Sequence, residues 1–422
     1  MDAALSPETK PIRTPAFRSN PGLDALRAFA ALGVVALHAG VPYLRHPMPG
    51  LVWPVQDRAS SLVDAACWAI EVMIMPLFLI IAGFLLWHSA GKLSPASLVK
   101  QRAKRLLVPL LFGVLVILPL DLYLWTIGLI GEGVVPLIKL KSLKFDEPLA
   151  SQIWGLSHLW FLLYVFLYVS VFAAMSVVGI RMDAVLRSPK RRWLASFLIF
   201  VVAVVTLTLR PEIVWGFQHA FLPVPSKWIY SGAFFTLGLI LALADPALTR
   251  LKQVGGGTLF LGVSLMIGAV MLGQMHLDSR QNPGGIGHWA GEGALALCTT
   301  SAAAFVSLGL IGCSQRLSRL PSAITYLAAA SFWIYLVHHP LLGLIHMDFK
   351  WAWASGSPTW KWLLSFTFSA TLCVLSYSAF IRGTRFGSLI GVSSPPKTKS
   401  PSETQPSEPT SNVATNPPRK AA

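Results

Sequence analysis

Residues 64–88 read DAACWAIEVMIMPLFLIIAGFLLWH, and this stretch decides the class of fold. A helix crossing a bilayer core needs about twenty predominantly apolar residues. The run supplies them with two acids, Asp64 and Glu71. Working outward, further runs of this kind lie at 23–44, 105–130, 157–179, 193–209, 227–244, 257–275, 289–312, 324–346 and 360–382. Alternating strand segments of about ten residues, the mark of a transmembrane barrel, do not occur. The expected fold is all-α, a polytopic integral membrane bundle of about ten transmembrane helices.

Composition agrees. The 422 residues are 54% apolar and only 12% charged, whereas soluble proteins carry roughly a quarter charged residues. The net charge of +16 does not form a stripe, so no nucleic-acid partner is expected. The basic residues sit in clusters between apolar runs, which is a topology signal. With the N-terminus inside, 23 Lys and Arg fall in inside segments and ten in outside ones, three of these (Lys139, Lys141, Lys144) in one loop. Both termini are therefore expected to be cytoplasmic. Residues 1–22 read as an N-terminal tail and 23–390 as the transmembrane domain. Residues 391–422, rich in Ser, Pro and Thr, read as a disordered tail. Cys67, Cys298, Cys313 and Cys373 lie in or beside apolar runs without ligand spacing, so neither a disulfide nor a metal site is expected. No internal repeat of the kind found in many transporters is visible.

Ionisable side chains within spans cost about 2.5–3.5 kcal/mol each and mark cavities or partners. In the first span Arg27 and His38 are eleven residues apart, which places them on one helix face about 16 Å apart along the axis. Asp24 reads as a helix-start or local ion-pair residue. Glu71 reaches the depth of His38 from the opposite direction, and Pro76 and Gly83 in the same span permit a kink and a close helix approach. SHLWFL at 157–162 sets His158 and Trp160 at the outer end of the fourth span. SFWIYLVHHP at 331–340 sets His338 and His339 at outer-leaflet depth. Adjacent helical residues point about 100° apart, so one of the two faces the interior, His338 being preferred. Pro340 frees a carbonyl in the preceding turn. His288 and Glu292 form a further candidate pair. In KQRAKRLLVPLL at 100–111, positive-inside anchoring and contact with anionic lipid account most simply for the cluster, and the alternative is an anion site in which Arg102 and Arg105, sharing a helix face, fork a polyphosphate.

The pattern has a polarity: cations at the inner side, and His38, Glu71, His158 and His338 towards the outer side. A long anionic donor such as acyl-coenzyme A fits it, and an imidazole suits proton abstraction from an acceptor hydroxyl.

Four segments resemble the membrane acyltransferase-3 family in its motif order: LDALRAFAALGVVALH (23–38), MPLFLIIAGFLL (75–86), QRAKRLLVP (101–109) and FWIYLVHHP (332–340). SHLWFL and SGAFFTLGLILA (231–242) resemble its glucan-biosynthesis protein C branch of succinyltransferases. The resemblance implies a bacterial inner-membrane O-acyltransferase. Such an enzyme moves an acetyl or succinyl group from cytoplasmic acyl-coenzyme A to a hydroxyl of an extracytoplasmic glycan or polysaccharide. Its partners are the two substrates and the lipid bilayer, and no cofactor is bound. Carried over, it makes Arg27 and His38 essential, sets Arg102 and Arg105 near the donor and makes His338 a site residue. Glu71, His158 and Trp160 complete the candidate set. Ala82 departs from the family pattern, which usually has Ser there. The expected chemistry has His38, oriented by Glu71 or another buried acid, acting as base while the hydroxyl attacks the thioester. In a variant His38 takes the acyl group first. A glycan or lipid transporter or flippase would use the same buried groups without consuming thioester, and a sensor or scaffold would need neither. Coenzyme A release separates the enzyme from the transporter.

Overall fold

The structure, a computed structural model, describes residues 20–281 and 288–392, without the side chains of 280–281 and 288–290. Most of both tails, and the side chain of His288, lie outside the described residues. Ten helices are long and apolar enough to cross a membrane: α1 (Pro21–Tyr43), α2 (Ser61–Ala90), α3 (Pro95–Gly131), α4 (Ser157–Val177), α5 (Pro189–Leu209), α6 (Pro225–Ala244), α7 (Thr249–Ser279), α8 (Gly291–Ser314), α9 (Ser322–Ala352) and α10 (Pro358–Ile381). The chain is a multi-pass, all-helical membrane protein.

Local chemistry starts several of these helices. Asn20, Ser94 and Ser188 each accept a backbone N–H of the first turn, and each is followed by Pro at the first helical position. An N-cap acceptor followed by Pro satisfies one orphan donor and removes another. The cap at Ser94 starts α3 ten residues before the apolar run that announces it. Arg102 and Arg105 therefore lie on this helix.

Burial sorts the helices. Between 56% and 72% of the apolar windows of α1, α2, α8 and α9 are buried, against 11% for α5. The first four form the centre. On α5, Trp193, Phe197, Val201 and Val205 are exposed at a spacing of four residues, the stripe expected of a face turned to lipid. At the α2–α6 crossing, a Cβ on Gly83 would collide with the Phe235 carbonyl and one on Gly238 with the Ile80 carbonyl. Two glycines, each set against the backbone of the opposite helix, let these helices touch.

Three features position the site. In α3 the helix runs to Phe112, widens into a π-turn over Gly113–Ile117 and resumes at Leu118–Gly131. The break follows Pro109, which cannot donate to the ladder, and precedes the buried acid Asp121. In α9, Pro340 has no N–H for the Leu336 carbonyl, and that oxygen instead accepts from His158 Nε2 at 3.2 Å. Between α1 and α2, the segment 44–60 is pinned by pairs of ionisable groups. His46 sits between Asp64 (Nδ1 to Oδ2, 2.7 Å) and Asp278 (Nε2 to Oδ1, 3.1 Å), and Lys361 Nζ meets Asp57 Oδ2 at 2.6 Å. The pinned segment carries Trp53, whose indole donates to His346 Nδ1 at 2.9 Å.

Candidate active site

α1, α4 and α9 bring four imidazoles together. Ring centroids lie 5.1 Å apart for His38–His338, 5.2 Å for His38–His339, 4.6 Å for His158–His339 and 5.1 Å for His158–His338. His158, His338 and His339 are buried. Trp53 stacks on His38 and Trp125 on His339. The Tyr335 hydroxyl donates to the His158 carbonyl.

The hydrogen bonds dictate the tautomers. A carbonyl only accepts, so His338 Nδ1, 3.1 Å from the Ile334 oxygen, carries a proton. In the neutral ring His338 Nε2 is then the acceptor, and His38 Nδ1 at 2.9 Å is its donor. The in-plane lone pair of His38 is thereby left on Nε2, which takes no hydrogen bond among the described residues. The same reasoning gives His158 a proton on Nε2, towards Leu336, and a lone pair on Nδ1, which is buried without a partner among the described residues. His339 Nδ1 lies 3.0 Å from Asp121 Oδ2; with Asp121 ionised, it donates and keeps its lone pair on Nε2.

One cavity ends at Tyr335, which packs against His158 and His338, and a second reaches His339. The first, about 330 Å³, is lined by Arg27, Arg102 and Arg105 and extends past Ala82, Phe78 and Phe161 to Tyr335. Arg27 also pairs with Asp24 at 3.5 Å, and Arg102 donates to Ser89 Oγ at 3.1 Å. The second, about 400 Å³, is lined by Asp121, His219 and His339 together with Tyr123, Trp125 and Trp154. Burial first, and then the charge of Lys227, hold the His219 imidazole down at about 4. At neutral pH this ring therefore offers one N–H and one lone pair. A small gap of about 40 Å³ between the cavities is bordered by His38, His158, His339, Tyr335, Glu71 and Lys227.

Of the residues singled out from sequence, His38, His158 and His338 meet directly, while Arg27, Arg102 and Arg105 share the first cavity. Glu71 stands differently from expectation. It borders the same gap as His38 but no hydrogen bond joins them; its electrostatic partner is Lys227. The group that orients His38 is an imidazole, not an acid, because α9 sets His338 against its Nδ1. Trp160 borders the gap too, with Lys227 Nζ 4.0 Å above its ring. Glu292 does not line either cavity. Sequence reasoning missed Asp121, His219, Lys227, Trp53 and His346, and preferred His338 over His339, although both contribute. The rule that intramembrane acids mark sites would have found Asp121, sixteen residues beyond Arg105 in the third run.

Donor atoms of Asp121, His158 and His339 come within 4.8 Å of one another. The His158 and His339 rings are only 22° from parallel. An ion in the plane of one would sit off the plane of the other, so as folded this is a stack and not a ligand set. The cysteines are free thiols.

A membrane bundle that encloses an oriented imidazole pair between a guanidinium-lined cavity and a polar, aromatic one has the parts of an enzyme for group transfer. The chain matches the acyltransferase-3 family, described as an acyltransferase domain, over residues 20–378 and belongs to it. It is a membrane acyltransferase. No curated protein and no solved structure matches the chain.

Proposed function

We propose that this acyltransferase moves an acyl group, acetyl or succinyl, from acyl-coenzyme A on the cytoplasmic side of a bacterial inner membrane to a hydroxyl of an extracytoplasmic glycan. The observation that carries the reading is a pair of cavities, one lined by three arginines and ending at Tyr335, the other lined by His339, with His38 bordering the small gap that shares a wall residue with each. The excess of Lys and Arg in the segments on the arginine side supports its being cytoplasmic, with both termini there. Arg27, Arg102 and Arg105 would hold the donor phosphates. The flexible arm of coenzyme A would run along the apolar wall that includes Ala82, where no hydroxyl is offered.

In the reaction His38 Nε2 takes the proton of the acceptor hydroxyl as its oxygen attacks the thioester carbonyl. The new C–O bond forms, the C–S bond breaks, and the proton passes to the thiolate to give coenzyme A. His338 holds His38 in the tautomer that does this. The alternative order, with the acyl group resting on His38 Nε2 first, uses the same lone pair.

The test is free-thiol release from acetyl- and succinyl-coenzyme A by protein in lipid, with and without glycan. His38→Ala should lower it about 10²–10⁴-fold while the protein stays folded. Full activity in that variant would sink this mechanism. Transport of the glycan with no thiol release would sink the thioester reading itself.

A further inference from the structure

The second cavity holds polar atoms that the fold leaves unused. Asp121 Oδ1, His219 Nδ1 and His219 Nε2 are buried and take no hydrogen bond among the described residues. Folded proteins rarely leave such groups unsatisfied, and each costs about 1–3 kcal/mol. Both residues line the second cavity, which places whatever fills it to partner these three atoms. The chemistry required is specific. Asp121, its side chain 9% exposed, offers an acceptor, and the neutral His219 ring offers one donor and one acceptor. An alcohol hydroxyl is both donor and acceptor, so several hydroxyls on one small scaffold satisfy all three atoms, whereas a fatty chain satisfies none.

The remaining wall agrees. Trp154, Tyr123 and Phe221 are each between 45% and 49% exposed and line the cavity. Aromatic side chains of this kind suit the apolar C–H surface of a sugar ring, and ligand sites combine such walls with a few polar groups that fix orientation. His339 is clamped in this wall. Its ring lies 4.8 Å from Trp125 on one side and 4.6 Å from His158 on the other, and Asp121 fixes Nδ1. Nε2 alone remains for a ligand, beside a ring 5.2 Å from His38.

We infer that this cavity is the acceptor subsite, in which Asp121 Oδ1, His219 and His339 Nε2 hold neighbouring hydroxyls of a polyhydroxylated ring and so deliver one hydroxyl to His38. The inference rests on the acyltransferase reading but can fail separately from its donor. None of the three residues bonds to the arginine cavity, so sugar binding does not require acyl-coenzyme A.

The experiment is direct binding of maltotriose, cellotriose and chitotriose to purified protein in nanodiscs, without donor. Wild type should bind at least one of them, and Asp121→Asn and His219→Gln should each weaken it tenfold or more. Trp154→Ala, in a loop, carries the test if Asp121→Asn does not fold. Binding of acyl-coenzyme A, measured on the same preparations, should not change. No binding of any trisaccharide by wild type, or equal binding by the variants, overturns the subsite. Sugar binding that weakens as described, in protein that releases no thiol from either coenzyme A thioester, leaves the subsite standing and removes the donor assignment.

Discussion

At the scale of the residue, the site depends on which atom of an imidazole carries its proton. His38 has two ring nitrogens, and the reaction proposed for it needs the lone pair on Nε2. His338 secures this by turning its own Nε2 towards His38 Nδ1, its proton being committed to the Ile334 carbonyl. Such a partner matters through geometry, since a small misplacement of a reacting group costs on the order of 10²-fold in rate. His338→Ala should therefore lower kcat by about that factor with the KM for acyl-coenzyme A little changed, because the arginine cavity is untouched. Steady-state kinetics decides it. A rise in KM at unchanged kcat would place His338 in donor binding instead.

At the scale of the element, the helices are shaped where the ladder is broken or the side chain is missing. Pro340 releases a carbonyl that fixes His158, and Pro109 with the π-turn after it precedes Asp121. The glycines do the reverse and remove bulk. Gly83 and Gly238 allow α2 and α6 to meet backbone to backbone, which keeps Glu71 and Lys227 at one gap. A methyl at either position has no space. Gly83→Ala should destabilise the protein by about 1–3 kcal/mol, visible as a lower thermal midpoint in detergent. An unchanged midpoint would show that the two helices part without cost.

At the scale of the whole molecule, the bundle separates a cationic end from a polar, aromatic one. The loop that fits the orientation least well carries Lys139, Lys141 and Lys144, and one of them is partly neutralised, Lys139 pairing with Asp146 at 3.2 Å. The orientation has a direct test in cysteine labelling, in a background with Cys298 and Cys313 replaced by Ala. Lys141→Cys should react with an impermeant maleimide in cells whose inner membrane is intact. Arg187→Cys should react only after that membrane is opened. The opposite pattern would invert the topology and with it the assignment of donor and acceptor sides.

The number and nature of the helices were determined by the sequence alone, because a membrane span needs only length and apolarity, and both are local properties. His38, His158 and His338 were legible for the same reason: a polar group in an apolar run stands out wherever the chain goes next. The family motifs carried the class. What only the tertiary structure decided is who meets whom. That His338 orients His38 where an acid was expected, that Glu71 turns to Lys227, and that Asp121 clamps His339 all join residues separated by 156 to 300 positions. Helix crossings set those pairings, and crossings follow from glycine contacts, proline breaks and buried ion pairs acting between segments. No periodicity within a single segment encodes them.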